Sequence, residues 1–148
     1  MKKLLLLPLT ILTLGITITS SSQVVMDTTK RETISKDFYK NTLERINDEL
    51  IVRYRNQEYK TIRDMRYFLI GDLTNYNSLK EAILDGFNQP KYESKRFTLN
   101  DKYFLIQKFS KKQVWIFIYD GDIKTSMGIY NVKMINKLLP KIDLLYNK

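Results

Sequence analysis

Asp120 and Asp122, on either side of Gly121, are the nearest this chain comes to a carboxylate pair held on one turn. General acid–base catalysis or a hard cation would use such a pair. The turn alone accounts for Asp120, because Asp-Gly is a favoured dipeptide between antiparallel strands. No Asp-rich loop has calcium-ligand spacing, and Gly15, Gly71, Gly86, Gly121 and Gly128 stand singly rather than as a phosphate-cradling loop. Histidine and cysteine are both missing from the sequence. Zinc and copper sites, Ser-His and Cys-His nucleophile pairs and imidazole acid–base chemistry therefore lose their usual groups. No motif calls for a cofactor or a metal. The enzymatic alternative is a small secreted hydrolase or nuclease that uses carboxylates with a lysine or tyrosine. The favoured reading is a non-enzymatic binding or envelope-associated protein.

The residues suited to binding are aromatic and basic. Trp115, Phe117 and Tyr119 alternate along QVWIFIY, so a strand there turns all three to one face, while Val114, Ile116 and Ile118 take the other. A sheet with two apolar faces needs two covers. The expected covers are the C-terminal helix on one side and N-terminal helices on the other, which would bury Trp115. The functional reading is an aromatic groove edged by Lys124 and Lys108 that takes a ligand, a glycan or a partner strand. Leu105 and Tyr103 on the preceding strand would extend it.

The net charge is +9, and Lys102 to Lys148 holds nine lysines against Asp120, Asp122 and Asp143. A basic end suits an acidic protein, an anionic envelope surface or a glycan, although charge by itself argues for solubility as much as for a partner. Lys133, Lys137 and Lys141 recur every four residues and would form a stripe on one helix. The plainer account of that stripe is the solvent side of an amphipathic helix. Arg53, Arg55, Arg63 and Arg66 lie among Asp48, Glu49, Glu58 and Asp64, where ion pairing explains them. Nucleic-acid binding fits poorly with export.

Export is expected from MKKLLLLPLTILTLGITITSSSQ, in which two lysines precede a short apolar run and then small polar residues. This is the order of a secretory signal peptide. The run is shorter than the roughly 20 residues that span a bilayer. Cleavage after Ser22 would leave 23–148 as a single domain, extracytoplasmic and either periplasmic or secreted, with no membrane span. An uncleaved anchor is the alternative.

Within that domain, Ser35 reads as the N-cap of a helix from Lys36 to Asp48, with Phe38, Tyr39, Leu43, Ile46 and Leu50 at helical spacing. LIVRYRNQEYKTI alternates as a hairpin turning at Asn56 and Gln57. Thr61 and Asp64 resemble a capping box before a helix from Ile62 to Ile70. Ser78 caps a helix whose buried side is Leu79, Ala82, Ile83 and Phe87. After a linker at 88–94, four β-rich runs separated by turn residues describe an antiparallel meander. Its last hairpin, closed by a type I′ turn at Asp120-Gly121, pairs Ile118 with Ile123, Ile116 with Thr125 and Val114 with Met127. Asn131 caps a final helix striped by Met134, Ile135, Leu138, Leu139, Ile142 and Leu145, which Pro140 should kink. The expected class is α+β: an N-terminal helical layer, an antiparallel meander of about four strands and a C-terminal helix. A second copy of the chain is a further candidate cover for the aromatic face.

Overall fold

The computed structural model describes residues 30–59, 61 and 63–141. The leader expected at 1–22, its cleavage point, and Ile142 and Leu145 of the apolar stripe lie outside these residues.

The chain forms two successive antiparallel meanders. β1 (Arg31–Lys36), β2 (Thr42–Ile46), β3 (Glu49–Arg55) and β4 (Met65–Gly71) make a four-stranded sheet in the order β1-β2-β3-β4. Helix α1 (Leu73–Gly86) leads to β5 (Ser94–Leu99), β6 (Lys102–Ser110), β7 (Gln113–Asp120) and β8 (Ile123–Tyr130), a second four-stranded sheet in the order β5-β6-β7-β8. The short α2 (Val132–Leu138) follows. The fold is thus mostly β, and the expected α+β arrangement with an N-terminal helical layer is wrong.

The physical reason lies in the turns. Asn47 and Asp48 both adopt positive φ, 49° and 69°, between paired Ile46 and Glu49. Two such residues make the turn that matches strand twist, and Asn and Asp tolerate that conformation best after glycine. The apparent helical period over 36–48 arises from residues on two strands and their loop: Leu43 is buried against Val52, whereas Phe38 stands 79% exposed at the β1–β2 loop. The helix expected from Ile62 to Ile70 is likewise β4, with Phe68 and Ile70 inward and Met65, Tyr67 and Leu69 outward. Asp64 does not cap a helix. Its side chain receives Asn56 Nδ2 at 3.1 Å and Arg66 Nε at 2.7 Å, and its carbonyl receives the Asn56 N–H, which closes the loop between β3 and β4.

Helix α1 begins earlier than expected. Asp72, not Ser78, is its N-cap and receives the Asn75 N–H at 2.8 Å. Its buried side includes Leu79, Ala82 and Ile83 as expected, and adds Tyr76. Asn131 does cap α2, accepting from Met134 N at 2.9 Å, but the helix ends at Leu138, so Pro140 follows it instead of kinking it.

The inner faces of both sheets feed one core. Phe68 of the first sheet meets Phe104 of the second edge-on at 4.9 Å, and Tyr54 and Thr125 share a hydroxyl hydrogen bond at 2.8 Å. Helix α1 lies against this core, where Gly86 at its end sits on Ile106. The end of α2 and the residues just after it tie the two halves: Ser35 donates to Leu138 O at 2.5 Å and Tyr76 donates to Pro140 O at 2.6 Å. Each sheet therefore keeps one face outward.

Candidate functional site

The outward face of the second sheet carries the aromatic residues singled out in the sequence. The β7–β8 hairpin turns at Gly121-Asp122, one residue later than expected, with Gly121 at φ 57° and Asp120 paired with Ile123. Glycine in the first central position with positive φ suits a type II′ turn rather than the I′ turn expected from Asp120-Gly121. Tyr119 pairs with Lys124, Phe117 with Ser126 and Ile118 with Thr125, and a bulge then shifts Ile116 onto Gly128 and Val114 onto Tyr130. The three expected pairs are therefore displaced. The faces expected for β7 survive, with Val114, Ile116 and Ile118 inward and Trp115, Phe117 and Tyr119 outward. On β8 the move of the turn by one place shifts partners by two and keeps their faces, but the bulge adds one more, so that Gly128 and Tyr130 join the inward side, and Ile123, expected in the core, is 53% exposed.

Along this face the rings lie against one another. Tyr103 and Tyr119 stack at 4.3 Å and 11°, and the Arg96 guanidinium lies 4.4 Å from the Tyr103 ring centre. Trp115 tilts onto Phe117 at 4.7 Å, Phe109 meets Trp115 edge-on at 6.1 Å, and Lys124 Nζ sits 4.3 Å from the Phe117 centre. The indole N–H donates to Ser126 Oγ at 2.7 Å, which ties Trp115 to β8. Phe117, between these neighbours, is buried; Trp115, Tyr119, Tyr103 and Leu105 are half-buried, and Phe109 is 39% exposed. No helix precedes the sheets among the described residues, so the expected burial of Trp115 under N-terminal helices does not occur; α1 packs on the inner side.

The flanking charges are placed differently from expectation. Lys124 stays at the strip, also 3.7 Å from Glu58. Lys108 does not edge it: strand alternation puts it on the inner face with Phe104 and Ile106, opposite Val114, where its ammonium donates to the carbonyls of Phe87 and Lys111. Lys133 and Lys137 are exposed on α2, while Lys141 lies beyond the helix. Lys141 is close enough that its charge, after burial, helps to lower the Lys80 pKa. The three lysines thus do not form one helical stripe.

The carboxylates have structural occupations. Asp120 accepts from Lys102 Nζ at 2.6 Å, and Asp122 is exposed in the turn. Asp37 and Glu44 are buried. Of the two, Asp37 lies in the β1–β2 loop. It accepts from the Asn41 N–H at 2.8 Å and the Tyr130 hydroxyl at 2.6 Å, and burial raises its pKa above the usual carboxylate value despite those bonds. Burial first, and then the facing Asp37, push the Tyr130 hydroxyl far up. Among the described residues, no three carboxylates gather where they could hold a metal ion. No described helix is long and apolar enough to cross a membrane.

The sequence reading grouped Arg53, Arg55, Arg63 and Arg66 and gave them to ion pairing, but it did not foresee the second concentration of charge that three of them help to form on the outward face of the first sheet. Arg53, Arg55 and Arg63 converge there with Lys36 and Lys40 around a cavity of about 650 Å³. Its signal was present in the alternation of Arg53 and Arg55, which places both on one face of β3, but the misassigned helices on either side hid the lysines that join them. No protein-family model matches the chain, and neither a curated protein nor a solved structure matches it.

Proposed function

We propose that the protein is an exported, non-enzymatic binding protein whose aromatic strip on the second sheet contacts an acidic protein partner. The observation that carries this reading is the strip itself: Phe109 and Phe117 lie against Trp115 and Tyr103 stacks on Tyr119, with Phe109 exposed and Trp115, Tyr103 and Tyr119 half-buried on the outward face. Trp, Tyr and Arg are the residue types that concentrate binding energy at protein interfaces, since each offers broad apolar area with a polar end. Arg96 and Lys124 at the ring faces give the strip the sign to receive acidic side chains. Export is carried by the order of charge, apolar run and small residues over 1–22.

The single tryptophan reports on this surface. With polyglutamate as the acidic probe, Trp115 should become shielded from acrylamide, and Arg96→Gln should weaken that shielding. Unchanged quenching at saturating probe would overturn the reading. Shielding that grows with protein concentration alone would instead assign the strip to a second copy of the chain.

A further inference from the structure

The cavity on the first sheet lies on a different surface, and its character does not depend on the aromatic strip. Register alone sets out its floor. Lys36 pairs with Thr42, Thr42 with Arg53 and Arg53 with Tyr67, so these four side chains form one row across all four strands. Neighbouring strands are roughly 4.8 Å apart. A cation on β1 and another on β3 thus stand about 10 Å from each other with a threonine hydroxyl between them. Arg55 adds a second guanidinium two residues along β3, and Lys40 and Arg63 reach the same space from the loops.

One carboxylate, Glu44, lines this cavity, and it is already committed. Arg31 grips Glu44 Oε2 with both Nε and Nη2, at 2.8 and 2.5 Å, and Thr42 Oγ1 donates to Oε1 at 2.7 Å. Glu44 is only 4% exposed, so it sits beneath the cations rather than among them. Five cations around one concavity repel one another, and low-dielectric walls strengthen their common field. Such a field favours an anion that can accept several N–H bonds at once. Planar guanidinium forks match the paired oxygens of phosphate. Phe38, exposed at the loop, and Tyr67, 70% exposed at the end of the row, offer apolar area beside the charge.

We infer that this cavity is a binding site for a phosphate-bearing ligand with at least two negative charges, held by Arg53, Arg55 and Arg63 with Lys36 and Lys40. The phosphate could belong to a soluble molecule or to a lipid headgroup, and the recognition chemistry is the same.

The test is calorimetric titration of the full chain with inorganic pyrophosphate, with flotation on phosphatidylglycerol and phosphatidylcholine vesicles as a second arm. Saturable pyrophosphate binding is expected, weakening as salt rises. The double variant Arg53→Ala, Arg63→Ala should weaken it by at least about tenfold. Both side chains are exposed, so the variant should fold, as an unchanged melting curve would verify. Lys133→Gln, Lys137→Gln removes the same charge from α2 and should leave binding as it was. Pyrophosphate binding without phosphatidylglycerol flotation supports a soluble ligand; flotation that pyrophosphate competes away supports a headgroup. Absence of saturable pyrophosphate binding overturns the inference. Equal loss in both double variants does so too, because general positive charge would then explain the result.

Discussion

At the scale of single residues, burial rather than sequence neighbourhood decides what a charged or polar group does. Asp37 lies in the segment expected to be a helix from Lys36 to Asp48 and is instead the anchor of the β1–β2 loop, bonded to Asn41 and Tyr130. Its pKa is raised above 3.8 in the fold, chiefly by desolvation. Between 3.8 and the raised value the native state holds a proton that the unfolded chain has released, so this group's contribution falls as pH rises through that window and is level above it. Asp64, lowered by its hydrogen bond from Arg66, has the opposite sign, its contribution being lost as pH falls. Denaturant unfolding of the wild type and Asp37→Asn isolates the first effect, because Asp64 is common to both. The wild type should lose stability relative to the variant across the window, and a difference that rises with pH would refute the assignment. Tyr130→Phe should cost about 1–3 kcal/mol, since Asp37 then loses a buried donor. Trp115 was legible as an aromatic-face residue from alternation alone. Its degree of burial was not, because that depends on which elements exist elsewhere. Half-buried and hydrogen-bonded to Ser126, it should lose only about 1–2 kcal/mol on substitution by alanine, less than an enclosed core tryptophan. Thermal melts of the two variants check both figures.

At the scale of elements, the second sheet was readable, whereas of the first only the strand over LIVRYR, leading to Asn56, was. The four strands of the second sheet are separated by turns rich in Asn, Asp, Gly, Lys and Ser and carry long β-branched and aromatic runs, so their pattern has one reading. In the first sheet the strands are short, and TLERI followed by ND and ELIVRYR fits helical spacing as well as it fits a hairpin. The deciding feature is Asn47-Asp48, whose side chains tolerate positive φ. Asp48→Val should therefore weaken the β2–β3 hairpin by roughly 1–2 kcal/mol, the cost of forcing a β-branched residue into that region. Asp48→Gly should be neutral or stabilising. Chemical denaturation of both variants measures the contrast, and equal losses would rule out turn strain as the cause. Helix α1 supplies a second case. Gly86→Ala would gain helix propensity, up to about 1 kcal/mol. Its Cβ would, however, land on Ile106 Cγ2 and lie 3.4 Å from Ile106 Cβ, and Ile106 is fully buried with nowhere to turn. Overpacking exceeds propensity here, and a net loss of roughly 1–2 kcal/mol is expected in the melting curve.

At the scale of the whole molecule, the pairing of two meanders explains why both candidate surfaces point outward. Each sheet gives one face to the shared core, and α1 and the end of α2 with the residues just after it close that core rather than covering an outer face. The basic cavity and the aromatic strip are therefore on opposite sheets, and neither is needed for the two sheets to meet. What holds the sheets together is a chain of rings, Tyr54 to Phe68 at 5.9 Å, Phe68 to Phe104 at 4.9 Å and Phe104 to Phe97 at 6.3 Å, beside the Tyr54–Thr125 hydrogen bond. Asn56 adds a polar tie, accepting from Ser126 N at 3.0 Å. Phe68 is the link that belongs to the first sheet and packs on the second. Phe68→Ala should cost about 3–5 kcal/mol, as emptying a buried aromatic site does. The more discriminating readout is amide hydrogen exchange. If the sheets unfold as one cooperative unit, the slowest amides of β3 and of β7 should lose protection by the same free energy in the variant. If each meander is stable by itself, β3 alone will lose protection while β7 keeps its own. The Phe68–Phe104 contact lies between the sheets rather than within either one, so the equal loss is the outcome the packing predicts.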